Sequence, residues 1–213
     1  MVFQRLFAIP KRHPFAFQLG FATVKTAAAD YLVQRTMEKK KHSEVDWKRN
    51  LVFTAFGGAY LGGFQWLIYV TMFRRWFPHM DKFASQTLKE KMKNRPGQID
   101  LAKQVGFDNF IHYTFIYFPT FYIFKESIQG DKNSTNPFDI IKGGLQKYQK
   151  NFWGDNTAIW AMWIPADIVI YAIPIWMRLP ANHALSFVWT CILSFMRGDS
   201  IEEAPAQIEE IKE

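Results

Sequence analysis

Residues 51–73 read LVFTAFGGAYLGGFQWLIYVTMF, twenty-three consecutive positions without a charge. Roughly 20 apolar residues are needed to cross the hydrocarbon core of a bilayer, so this stretch predicts a membrane helix. Its flanks agree. Lys48 and Arg49 precede it, Arg74 and Arg75 follow it, and Trp47, Trp66 and Trp76 supply the aromatics favoured at the membrane–water boundary.

Three further stretches share this character. Residues 105–124 are interrupted by Asp108 and His112, and residues 158–176 carry Asp167 as their one charge. Arg178, Leu179 and Pro180 then predict a tight break before a fourth stretch, residues 181–196, so the last two form an antiparallel hairpin. Residues 15–34 have the right length but hold Lys25 and Asp30. Ala22, Ala27, Ala28 and Ala29 suit close packing and favour a fifth helix buried against its neighbours over a half-inserted one. The expected fold is therefore all-α: an integral membrane bundle of four clear transmembrane helices plus a fifth, N-terminal one.

Outward from the spans the chain is polar. Residues 38–49 and 80–103 are basic linkers. The second predicts a short amphipathic helix over residues 83–93, ended by Pro96 and Gly97. Residues 138–153 alternate apolar positions with Lys142, Lys147 and Lys150, as in a helix lying in the interface. The domain reading is a basic segment 1–14, one helix-bundle domain 15–198 and an acidic tail 199–213. Arg5, Lys11 and Arg12, with no acid before Asp30, are suggestive of mitochondrial import without a cleaved presequence.

Bulk composition narrows the classes. Aromatics reach 17%, with 21 Phe and 8 Trp, more than a soluble core of 213 residues accommodates and natural for lipid-facing positions. Mean hydropathy is −0.14, because Trp and Tyr score poorly on such scales and the linkers are dense in Lys. The net charge of +7 lies between the apolar runs and not on one face, which argues against nucleic acid. Cys191 is the one cysteine, which excludes an intramolecular disulfide or a multi-cysteine metal site. No nucleotide-binding motif and no nucleophile–base–orienter set is visible, so the chain reads as a non-enzyme without cofactor.

Helical phase gives each span a polar or small stripe. Ala55, Gly58, Gly62 and Gln65 share one; Gln104, Asp108, His112, Pro119 and Tyr122 another; Trp160, Trp163, Asp167, Tyr171, Pro174 and Arg178 a third; His183, Ser186, Thr190, Ser194 and Arg197 a fourth. Gly58 and Gly62 form a GxxxG spacing that lets helix backbones approach closely. Two readings follow. The stripes glue the bundle together, or they converge on a hydrated path. For the path, Asp108, His112, Asp167, Gln65 and Arg178 are the candidate lining, since a carboxylate at membrane depth normally faces a cavity or a partner. Pro165 and Pro174 free backbone carbonyls beside it or simply kink the helix. Asp108 and His112, at i and i+4, are two ligands only, too few for a metal.

Trp160-x-x-Trp163-x-Pro165, followed by Tyr171, Pro174, Arg178, Trp189 and the pair Leu193–Ser194, resembles the C-terminal signature of the peroxisomal twenty-two-kilodalton membrane protein/Mpv-seventeen family. His13–Pro14 before the first helix, Asp30 with Gln34, Arg49 ahead of Gly58, Gly62 and Gly63, then Tyr69 and Pro78, extend the resemblance over nearly the whole chain. The chain departs from the pattern at Asp167, where the family has Gln, and at Ile170–Tyr171, where it has Asn-Phe. The resemblance implies a small multi-pass organellar protein of the mitochondrial inner membrane, with the peroxisomal membrane as alternative, forming a pore or channel for small solutes. The alternative function is a structural accessory subunit of a larger mitochondrial membrane complex. The implied partners are the lipid bilayer and other membrane subunits or further copies of the chain.

Overall fold

The computed structural model describes residues 12–130, 136–173 and 175–198, and among them it is all-helical, with no strand. The segment 1–11, the tail 199–213 and Pro174 lie outside the described residues. Helix α1 is Pro14–Thr36, opened by a proline whose missing N–H costs nothing in a first turn. Helix α2 is Trp47–Trp76, and the Asp46 side chain caps it by accepting from the Arg49 N–H at 2.9 Å. Among the described residues α2 is the one helix long and apolar enough, by length and composition, to cross a membrane.

Two short helices follow, α3 (Met80–Ser85) and α4 (Leu88–Lys93). The single amphipathic helix expected over residues 83–93 is split at Gln86, because Thr87 and Glu90 form a capping box that starts a new helix. Nor do Pro96 and Gly97 end anything. Asn94 caps the Gly97 N–H at 3.1 Å and Pro96 sits in the first turn of α5, residues 95–129. Helix α6, Pro137–Ala172, is capped by Asn136 and absorbs both the expected interfacial helix and the third span into 36 continuous residues. The break expected at Arg178–Pro180 falls instead at Ile173, whose extended backbone (φ −80°, ψ 161°) is what a residue preceding proline adopts. Helix α7, Ile175–Arg197, then runs through residues 178–180.

Wide, i→i+5 turns occupy Gly57–Phe64 and Leu67–Met72 in α2 and Phe107–Tyr117 in α5. Such turns are rare and concentrate at functional positions. Here those of α2 and α5 meet side by side through Tyr60 with His112 and Tyr69 with Asp108.

The five long helices close a ring, in the order α1, α2, α5, α6, α7 and back to α1. Neighbours are antiparallel except α7 and α1, where Lys25 meets Ser186 and Asp30 meets Ser194, a parallel pairing that an odd-numbered ring requires. The α1–α2 seam is held by small residues. A Cβ on Gly62 would stand 2.7 Å from Leu19 Cα, and one on Gly57 would overlap the Thr26 side chain. Gly58 is looser, meeting only the Thr23 hydroxyl. One half of the ring is filled by an aromatic core in which Phe56 packs edge-on to Tyr117 and Phe121, beside Phe118, Ile159, Trp189 and Leu193. A smaller core of Ile68, Phe73, Phe77, Met80 and Phe83 forms where α3 folds beneath the end of α2.

Candidate functional site

The wide turn of α5 points both Asp108 and Asn109 inward, and this builds the centre of the ring. Asp108 accepts from Tyr69 Oη (2.9 Å, α2) and Tyr171 Oη (2.6 Å, α6), and its other oxygen pairs with His112 Nδ1 at 2.6 Å. The far side of the His112 ring meets Tyr60 Oη at 2.8 Å. Tyr69 in turn accepts from Gln65 Nε2 at 3.0 Å and lies 3.4 Å from the Tyr113 hydroxyl. One helix turn away, Asn109 Nδ2 donates to Asp167 Oδ2 at 2.9 Å. Asp108, Asn109 and His112 are wholly buried, and Asp167 almost so.

Four of the five polar positions expected to line a path (Asp108, His112, Asp167 and Gln65) therefore come together. Arg178 stands apart. It donates to the carbonyls of Tyr171 and Ile173, which the end of α6 leaves without helical partners. The partner of Asp167 is Asn109, while His112 serves Asp108 and Lys25 donates to Ser186 Oγ. Among the described residues no third ligand joins Asp108 and His112. Pro165 lies inside α6, between Trp163 and Asp167.

Two cavities flank this cluster. The inner one, about 20 Å³, the space of one or two waters, is lined from all five helices, by Lys25, Gln65, Tyr113, Trp163, His183 and Ser186 among others. The outer one, about 250 Å³, is lined by Tyr69, Phe73, Gln104, Ile170, Tyr171, Arg178 and Asn182. Asn182 borders both. Tyr69 faces the outer space and Tyr113 the inner, so the Asp108–Tyr69–Tyr113 contacts form a septum between them.

Beyond the inner cavity lies a second polar centre that residue patterning missed. Arg49, treated above as a membrane-flanking charge, is 1% exposed. Its guanidinium reaches Asp30 Oδ1 (2.8 Å), Glu38 Oε1 (2.7 Å) and the Ser194 hydroxyl and carbonyl (2.7 and 3.1 Å). Asp30 also accepts from Ser194, Asn50 and Gln34, and Gln34 closes the loop by binding the Asp46 backbone. A signal existed in the Asp30–Gln34 pair and Arg49, quoted above for their family resemblance, but nothing in their spacing joins positions 30 and 49.

Comparison with protein-family models, curated proteins and solved structures finds no match. The likeness to the peroxisomal twenty-two-kilodalton membrane protein/Mpv-seventeen family thus rests on the motif residues alone.

Proposed function

We propose that the chain is a multi-pass membrane protein whose five long helices cross the bilayer around a polar axis, and that this axis is a gated path for small solutes. The supporting observation is an inverted distribution of polarity. Asp30, Arg49, Asp108, His112, Asp155 and Asp167 are at most 1% exposed, while Val24, Phe115, Val169 and Phe195 are more than half exposed. A water-soluble fold buries ionic groups rarely and does not reserve its outside for such side chains. Helices α1, α5, α6 and α7 carry inward-facing polar residues that depress their mean hydropathy below that of α2. Over residues 15–32, 107–124, 158–169 and 181–195 their exposed positions remain apolar.

The polar side chains form a series along the axis. It runs from Arg178 and the outer cavity, through the Asp108–Tyr69–Tyr113 septum and the inner cavity, to the Arg49–Asp30–Ser194 network. Along α7 this spans residues 178 to 194, about 24 Å at 1.5 Å per residue, most of a bilayer's hydrocarbon thickness. In this conformation hydrogen-bonded groups stand at both ends of the inner cavity. By the family resemblance the membrane is the mitochondrial inner membrane.

Purified protein reconstituted into liposomes tests the pore. Tyr69→Ala removes the septum and should release entrapped small osmolytes several times faster than the unaltered chain. Retention of osmolytes by both would contradict the pore. The closed septum also suits the second reading, an accessory subunit, which impermeable liposomes together with migration in a large digitonin-solubilised complex would favour.

A further inference from the structure

The ring holds two deeply buried cations on the α1 side, and they are treated differently. Arg49 is matched by Asp30 and Glu38. Lys25, one and a half turns from Asp30 along α1, is 9% exposed, and its hydrogen bond goes to a neutral hydroxyl, Ser186 Oγ. Among the described residues no carboxylate pairs with it. An unmatched ammonium in such a place is costly unless something compensates its charge.

Its surroundings supply donors in excess. Lys25 borders the inner cavity, with two of its three N–H bonds uncommitted. Across the space, the Trp163 indole N–H is buried with no partner. His183, also 9% exposed, has neither ring nitrogen bonded, so it contributes an N–H in either tautomer. The Ser186 hydroxyl is turned to the His183 carbonyl and offers no proton to the cavity. Among the described residues lining it, the fully buried acceptors without a partner are the second His183 nitrogen and Gln18 Oε1, on a side-chain amide that presents N–H when it turns, and the Gln65 and Asn182 amides border the space as well. No Asp or Glu among the described residues lines the cavity.

We propose that the inner cavity is a binding site for one small monovalent anion, of halide or formate size, held by Lys25, His183 and Trp163. The anion neutralises Lys25, accepts the stranded N–H groups, and fits a space of about 20 Å³ that a larger phosphate or dicarboxylate overfills. The site sits on the proposed path, yet binding is measurable in detergent whether or not the bundle conducts.

The test is thermal unfolding of the detergent-purified chain in sodium chloride and in sodium gluconate, whose anion is too large to enter, at equal ionic strength. Chloride should raise the melting temperature saturably, by about 2–4 °C when it stands about fivefold above its Kd. Lys25→Gln should abolish that rise while the protein stays folded, since it removes an unmatched buried charge. Trp163→Phe, which deletes one N–H and keeps an aromatic ring, should shift the chloride dependence to higher concentration. Equal melting temperatures in the two salts would overturn the site and leave water as the occupant. So would an undiminished chloride effect in both variants. A chloride effect lost in Lys25→Gln, from protein that makes liposomes no leakier, upholds the site while contradicting the pore.

Discussion

The two buried polar centres of the ring solve the same problem by opposite means. At the Arg49 end, one guanidinium is balanced by two carboxylates, Asp30 and Glu38, and neutral groups from α1, α2 and α7 fill in around them. At the Asp108 end, two carboxylates lie close together with no lysine or arginine, and they are held by tyrosine hydroxyls, one asparagine and one imidazole. Lys40, 2.9 Å from Glu38, completes the charge balance of this first centre, a lock among three helices. The second is built from neutral donors, on the wide turns of α2 and α5 and on α6, and a donor that changes partner carries no full charge with it. That is why the septum, and not the Arg49 network, is the part of the axis expected to open.

Breaking the lock should produce the largest effect. Arg49→Leu leaves the buried Asp30 without its cation, while Glu38 keeps Lys40, and should cost about 3–5 kcal/mol of stability in detergent unfolding, the usual penalty for a widowed buried charge. A smaller loss than that of any septum variant would erase the contrast between the two centres. Next comes the seam that sets both in register. Gly62→Leu drives a side chain into the α1 backbone at Leu19 and should cost about 1–3 kcal/mol. Gly58→Leu meets only the movable Thr23 hydroxyl and should cost less, which the same unfolding experiment ranks.

Asp167→Asn probes the adaptable centre. An asparagine keeps one acceptor for Asn109, so stability should fall by about 1 kcal/mol or less. A loss equal to that of Arg49→Leu would show the septum to be as rigid as the lock.

The smallest expected effect is on pH dependence. Burial pulls the Glu38 carboxyl upward, but hydrogen bonds and charge from Lys40 and Arg49 outweigh it and hold the group below its ordinary value. A carboxyl lowered in the folded state contributes stability that is full above the ordinary carboxylate range and is lost as pH falls through the lowered value. Glu38→Gln should therefore flatten the acid limb of the stability–pH curve and leave its shape near neutrality unchanged.

Part of this was legible in the residue order. Residues 51–73 announce α2 by hydropathy, the Gly58–Gly62 spacing announces the seam, and Asp108 with His112 announces an inward face of α5 at i and i+4. Asn109 could not be read the same way. On a regular helix it lies about 100° from Asp108, and only the wide turn of Phe107–Tyr117 brings both to the centre. Gly57 was hidden similarly, one position before the glycine that the spacing rule selects, though it meets α1 more tightly. Arg49 illustrates another limit. A basic residue at the end of an apolar run normally reaches for the interface, and its burial depends on Asp30, Glu38 and Ser194, which local patterning cannot assemble. The hairpin break was displaced because Pro174 constrains the residue before it, whereas Pro180, the sixth residue of α7, lies inside that helix.

The central claim, an apolar exterior in lipid around a polar axis, is open to one direct measurement. In a Cys191→Ser background, single spin labels are placed at Val24, Phe115, Val169 and Phe195, on four different helices, and at Leu88 in α4 as an aqueous reference. After reconstitution, collision rates with molecular oxygen and with a water-soluble nickel chelate are compared. The claim predicts that oxygen dominates and nickel is excluded at all four helix positions, with the reverse at Leu88. Nickel accessibility at those four positions equal to that at Leu88 would contradict it.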